Sequence, residues 1–243
     1  MSEEMINAPL KAFLTMPTQP IILALDVADK ATALHWVNRL KSRVSVVKVG
    51  MRLFYAEGPD LIREIQDQGL GVFLDLKLYD IPNTVKEACE SLSKLKPDFL
   101  TVHASGGFDM LRLAGEVFVG TNTQVTAVTC LTSFTPEALS RVYPNQNITP
   151  SAWALSLTAL AQEAGLNTIV CSPHEIEPIR TEFADSLTLI TPGIRLSKLD
   201  NDDQARVMTP QEALKAGANY LVMGRPILTS ENPERLLDNL FLN

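Results

Sequence analysis

The segment FLDLKLYDIPNT, residues 73–84, sets Asp75, Lys77 and Asp80 within six positions at the end of an apolar run. Burying charges costs desolvation free energy, so a cluster of this kind calls for a use. In an extended chain Asp75 and Lys77, at i and i+2, share one face. Lys48, at the end of another β-branched run, is placed to join them. Asp80 lies past the strand in a loop stiffened by Ile81 and Pro82, ahead of a helix starting near Asn83 or Thr84, and is free to reach outward. In an alternating array of Lys48, Asp75, Lys77 and Asp80, adjacent carboxylates oppose desolvation and keep Lys77 an ammonium. A protonated lysine is a general acid for a developing carbanion. A fixed carboxylate beside it disfavours a substrate carboxylate more than the product that lacks one. Decarboxylation gains from both. The competing reading is a satisfied ion-pair network at the rim of the fold, which does no chemistry.

A second polar group stands near the C-terminus. TPGIR (191–195) and MGRPI (223–227) flank the polar stretch LSKLDNDDQARV (196–207). Gly193 and Gly224 let backbone approach an anion closely, and Arg225 offers a bidentate fork suited to phosphate. A loop of about a dozen residues in a compact domain reads as a lid, with Gln204 placed to touch both ends of a ligand. Against this, Gly224 and Pro226 alone suit a plain strand-to-helix turn with Arg225 solvated.

These residues need elements to hold them. Apolar, β-branched runs begin at residues 21, 44, 71, 99, 124, 167, 187 and 220, and segments with helical spacing lie between them. Near-continuous apolar strands alternating with amphipathic helices imply a parallel sheet covered by helices, and eight such units imply a single-domain α/β chain closed as a (β/α)8 barrel. An open doubly wound sheet competes, yet the first strand is followed by ALDVADK where a dinucleotide fingerprint would need its glycines. Barrel sites are built at the carboxyl ends of the strands. Those ends carry Asp26, Lys48, Asp75, Lys77, His103, Thr132, Arg195 and Arg225. The barrel is expected over residues 20–243, with residues 1–19 a flexible leader.

The net charge of −7, without a run of five basic residues, argues against a nucleic-acid or anionic-membrane surface, so an anionic ligand must be gripped locally. No stretch approaches the roughly 20 apolar residues of a membrane span. Cys89, Cys130 and Cys171 form no paired motif, which fits a reducing cytoplasm.

The motifs D-x-K-x-x-D-I-P-N-T (75–84), K-V-G (48–50), A-L-D (24–26), H-A-S-G-G (103–107), L-T-S (131–133), T-P-G-I-R (191–195) and G-R-P (224–226) resemble, in order, those of the orotidine 5′-phosphate decarboxylase family. The resemblance implies conversion of orotidine 5′-phosphate to uridine 5′-phosphate and carbon dioxide at the end of pyrimidine nucleotide synthesis, without metal or organic cofactor. It also implies a homodimer with shared sites. Lys77 would protonate C6, with Lys48, Asp75 and Asp80 of the partner subunit completing the charged tetrad. Asp26 and Lys48 would hold ribose hydroxyls beside Thr84 of the partner subunit, and Thr132 would sit near the pyrimidine. Arg225, the Gly224 backbone and Gln204 would bind the 5′-phosphate, with Arg195 among the substrate-binding positions.

His103, His35 and His174 read as structural or surface residues, Cys130 and Cys171 as inert core thiols, and no His/Asp/Glu spacing suggests a metal site. The alternatives are a metal-dependent sugar-phosphate decarboxylase or aldolase of the same barrel group, against which I-P-N-T speaks, and a silent nucleotide-binding regulator.

Overall fold

The apolar runs become eight parallel strands. The computed structural model describes residues 20–144, 148–196 and 208–240. The strands are β1 Ile21–Ala24, β2 Val46–Gly50, β3 Gly71–Leu78, β4 Phe99–His103, β5 Gln124–Val128, β6 Thr168–Val170, β7 Thr188–Thr191 and β8 Tyr220–Met223. They pair in sequence order, and β1 closes on β8 through Ile21–Leu221 and Leu23–Met223. The expected (β/α)8 architecture is therefore the observed one. Residues 1–19 of the expected leader lie outside the described residues.

The helices are α1 Lys30–Leu40, α2 Met51–Gln66, α3 Pro82–Ser93, α4 Phe108–Glu116, α5 Pro136–Val142, α6 Pro150–Glu163, α7 Ile176–Phe183, α8 Pro210–Ala216, α9 Arg225–Leu228 and α10 Pro233–Asn239. Their starts follow local chemistry. Asp29, Thr135, Thr149, Thr209 and Asn232 each accept a backbone N–H of the first turn, and Pro occupies the opening of α3, α5, α6, α8, α9 and α10. Pro82 is thus the first residue of α3, one or two positions earlier than the sequence suggested. Helix α2 begins nine residues before the periodic segment DLIREIQDQ, and Gly58 (φ 68°) breaks it ahead of Pro59. Helices α5 and α9 carry no long periodic signal and were not anticipated.

Alternation along the strands divides the apolar residues into two cores. Outward-facing residues such as Leu23, Val47, Leu74, Leu100 and Leu189 pack under the helices. Inside the barrel, Ile22, Ala24, Phe73, Phe99, Ile190 and Val222 form a smaller cluster. Phe73 meets Phe99 edge-on at 5.7 Å and Phe99 meets Tyr220 at 5.4 Å, so the barrel is plugged by rings below its upper rim. Polar groups at the strand ends stand on this apolar floor. Among the described residues no helix is long and apolar enough to cross a membrane.

Candidate active site

The ends of β1, β2 and β3 carry the charges. Register places Ala24 beside Lys48 and Gly50 beside Asp75, so neighbouring strands deliver their polar ends at one level. Lys48 Nζ lies 3.0 Å from Asp26 Oδ1 and 3.5 Å from Asp75 Oδ2. Lys77 Nζ donates to both Asp75 oxygens, at 2.7 and 2.8 Å. Positive and negative groups alternate from Asp26 through Lys48 and Asp75 to Lys77. Asp75 is only 8% exposed. Burial alone would raise its carboxyl, but the charges of Lys48 and Lys77, with hydrogen bonds from Lys77 and Thr101, outweigh that and hold it below the usual carboxylate range. Gly50 guards the arrangement: a Cβ there would come within 3.3 Å of Lys48 Nζ.

The pairing of Asp75 with Lys77 does not arise from plain strand alternation. Between the pairs Leu74–Leu100 and Leu78–Val102, β3 advances four residues while β4 advances two. The surplus forms a bulge containing Asp75 and Lys77, and Lys77 has φ +50°. Because the surplus is even, the strand leaves the bulge in its original facing, so simple alternation reaches the right pair by the wrong geometry. The Lys77 N–H donates to Thr101 Oγ1 at 2.8 Å, and Thr101 Oγ1 donates to Asp75 Oδ1 at 3.2 Å. Thr101 was missed in the sequence, where a lone threonine in an apolar strand is an ordinary β-former.

A cavity of about 250 Å³ opens above these groups, lined by Asp26, Lys48, Asp75 and Lys77 on one side and by Arg195, Gly193, Gly224 and Arg225 on another. Thr132 lines it as well, with Phe73 at its base. Arg195 is 7% exposed, and its backbone is joined to the far side of the long loop by Arg195 N to Met208 O at 3.0 Å. At Gly224 a Cβ would lie 3.2 Å from the Ala24 Cβ and 3.3 Å from the Ala24 carbonyl oxygen, so a side chain there would press on β1. Cys130 and Cys171 are buried as expected but reach the cavity wall. Burial pushes the Cys171 thiol up to about 12, leaving it a neutral apolar surface.

Two expected site residues stand apart. Asp80 and Thr84 are exposed and do not line the cavity; Asp80 Oδ1 accepts the Ile81 N–H at 2.7 Å. Gln204 lies outside the described residues. His103 sits beside the charges with its ring edge-on to Tyr79 at 5.6 Å, and burial, reinforced by Lys77 and opposed by Asp75, pushes its imidazole below the ordinary value. It is a neutral residue outside the lining of the cavity. His35 and His174 are exposed. Among the described residues no group of three His, Cys, Asp or Glu is arranged to hold a metal ion.

The site can therefore present an ammonium pinned to a buried carboxylate at one end and cations with exposed backbone at the other. A model of the orotidine 5′-phosphate decarboxylase / HUMPS family matches residues 19–239. The chain belongs to this family. Among its decarboxylase relatives, an orotidine 5′-phosphate decarboxylase of Wolbachia pipientis subsp. Culex pipiens (strain wPip) is 42% identical over 214 residues, 88% of this chain and 93% of its own. One from Nitrosomonas eutropha (strain DSM 101675 / C91 / Nm57) is 44% identical over 217 residues, 89% and 93% of the two chains. The crystal structure of orotidine 5′-phosphate decarboxylase from Lactobacillus acidophilus superposes with a TM-score of 0.77 at 33% identity, covering 91% of this chain and 97% of that one.

Proposed function

We propose that the chain decarboxylates orotidine 5′-phosphate to uridine 5′-phosphate and carbon dioxide. The observation that carries this reading is the Lys77 ammonium held 2.7 Å from the buried Asp75 carboxylate in a cavity that Gly193, Gly224 and Arg225 also line. The 5′-phosphate binds at Arg225 and the glycine backbone, the ribose hydroxyls at Asp26 and Lys48, and the pyrimidine near Thr132. The C6 carboxylate then lies against Asp75.

As the C6–carboxylate bond breaks, carbon dioxide departs neutral and the electron pair stays on C6. The repulsion with Asp75 is relieved, and the adjacent ammonium groups stabilise the growing negative charge. Lys77 Nζ–H gives its proton to C6, leaving an amine that regains a proton from solvent. Phosphate binding far from C6 contributes alignment of the reacting carbon, the part of binding that raises turnover.

Asp80 and Thr84 enter the same site from a second copy of the chain, giving a homodimer with shared sites. Their exposure supports this reading, as do the flanking Tyr79 and Ile81, 61% and 67% exposed, which present an apolar rim around an acid idle in its own barrel. Three free, buried thiols suit a reducing cytoplasm.

A spectrophotometric assay with orotidine 5′-phosphate in excess chelator tests the activity. Undiminished conversion to uridine 5′-phosphate is expected, because ammonium groups occupy the place a Lewis acid would take. Failure to consume this substrate, or turnover of a hexulose phosphate only with a divalent metal, would select the sugar-phosphate branch instead.

A further inference from the structure

We infer that Thr101 is a positioning residue for the proposed decarboxylation, its single hydroxyl fixing both the main chain from which Lys77 springs and the carboxylate that Lys77 touches. The inference rests on the functional reading above and extends it to a residue that does not line the cavity.

Thr101 is 0% exposed and lies on β4 between Leu100 and Val102, the two residues that bracket the β3 bulge. The Gly71 N–H donates to the Ser45 carbonyl on the β2 side, so by alternation an unbroken parallel ladder would aim the Lys77 N–H at β2; the bulge turns it towards β4, where Thr101 Oγ1 is its acceptor at 2.8 Å. A backbone N–H only donates, so the hydroxyl proton remains for Asp75 Oδ1 at 3.2 Å. That same oxygen accepts Lys77 Nζ at 2.7 Å. The three residues form a closed ring of four groups: Lys77 main chain, Thr101 hydroxyl, Asp75 carboxylate, Lys77 ammonium. Lysine at φ +50° persists only where its surroundings hold it there. The hydroxyl is the strut. Without it the buried N–H loses its acceptor, and rotation back to an ordinary strand conformation would carry the ammonium away from C6.

Steady-state kinetics of Thr101→Val, Thr101→Ser and Thr126→Val test this. Thr126 is the β4 residue's register partner on β5, equally buried, and its hydroxyl donates only to the Gln124 carbonyl, so Thr126→Val reproduces the loss of a buried hydroxyl without touching Lys77. Thr101→Val is expected to lower kcat roughly 10- to 100-fold, the scale of a misplaced reacting group. KM should change by less than about threefold because no contact to ligand is lost. Thr101→Ser should recover most of kcat, and Thr126→Val should stay within about twofold of wild type. Should Thr101→Val not fold, Thr101→Cys serves, its weak donor and acceptor giving an intermediate kcat. Wild-type kcat in Thr101→Val or Thr101→Cys, or a loss confined to KM, would overturn the inference. An inactive wild-type chain would overturn the functional reading itself, and the inference with it.

Discussion

Asp75 receives Lys77 Nζ on both oxygens and Thr101 Oγ1 on one, with Lys48 Nζ at 3.5 Å. Its charge is thus worth more in the folded chain than in water, and its carboxyl is held below the usual range. A carboxyl lowered on folding contributes stability that is fully present above its unfolded value, about 3.9, and is lost as pH falls through the folded value. Wild type should therefore gain stability relative to Asp75→Asn as pH rises to about 4, and the difference should be level above about 5. Urea midpoints of the two proteins across that range check it; a difference that shrinks with rising pH would contradict it. The charged members of the site were legible because Asp and Lys at the ends of apolar runs stand out from their surroundings. The φ of Lys77 and the part played by Thr101 were not. Neither residue type announces a bulge, and an even surplus leaves the hydrophobic alternation intact.

The elements were legible in proportion to their length and burial. Parallel strands covered on both faces read as apolar runs, so all eight were found, whereas α5 (Pro136–Val142) and α9 (Arg225–Leu228) are too short to show a period. The end of α7 shows how packing overrides local preference. Ala184 has φ 49° and ψ −136°, outside the region open to residues with a Cβ. It is held by Arg180, which donates to the carbonyls of Ala184 at 2.8 Å, Leu187 at 2.9 Å and Gly217 at 2.8 Å, and to Asn219 Oδ1 at 2.7 Å. This fork ties α7 to the starts of β7 and β8 at the barrel's lower end. Because the fork and not the alanine methyl fixes the turn, Ala184→Gly should stabilise the protein by about 1 kcal/mol, relief of strain exceeding the added unfolded-state entropy. Thermal unfolding should show a rise of roughly 2–4 °C. A fall would mean that the backbone there is unstrained.

At the scale of the whole molecule the barrel gathers the ends of β1, β2 and β3 and those of β7 and β8 around one opening, with β8 lying beside β1, which is why motifs separated by some 150 residues line one cavity. We propose that this opening is completed by Asp80 of the partner subunit. Folding one chain leaves that acid exposed at the rim and tied to the Ile81 N–H. Subunit mixing tests whether the two chains share each site. Lys77→Ala and Asp80→Ala are each expected to be inactive alone, since a missing general acid or tetrad charge removes a transition-state contact. Combined under exchange in equal amounts, half of the dimers are mixed and each mixed dimer regains one complete site, so activity should recover to about a quarter of wild type. No recovery, with exchange verified by differentially tagged chains, would contradict the shared site and confine the chemistry to the charges of a single barrel.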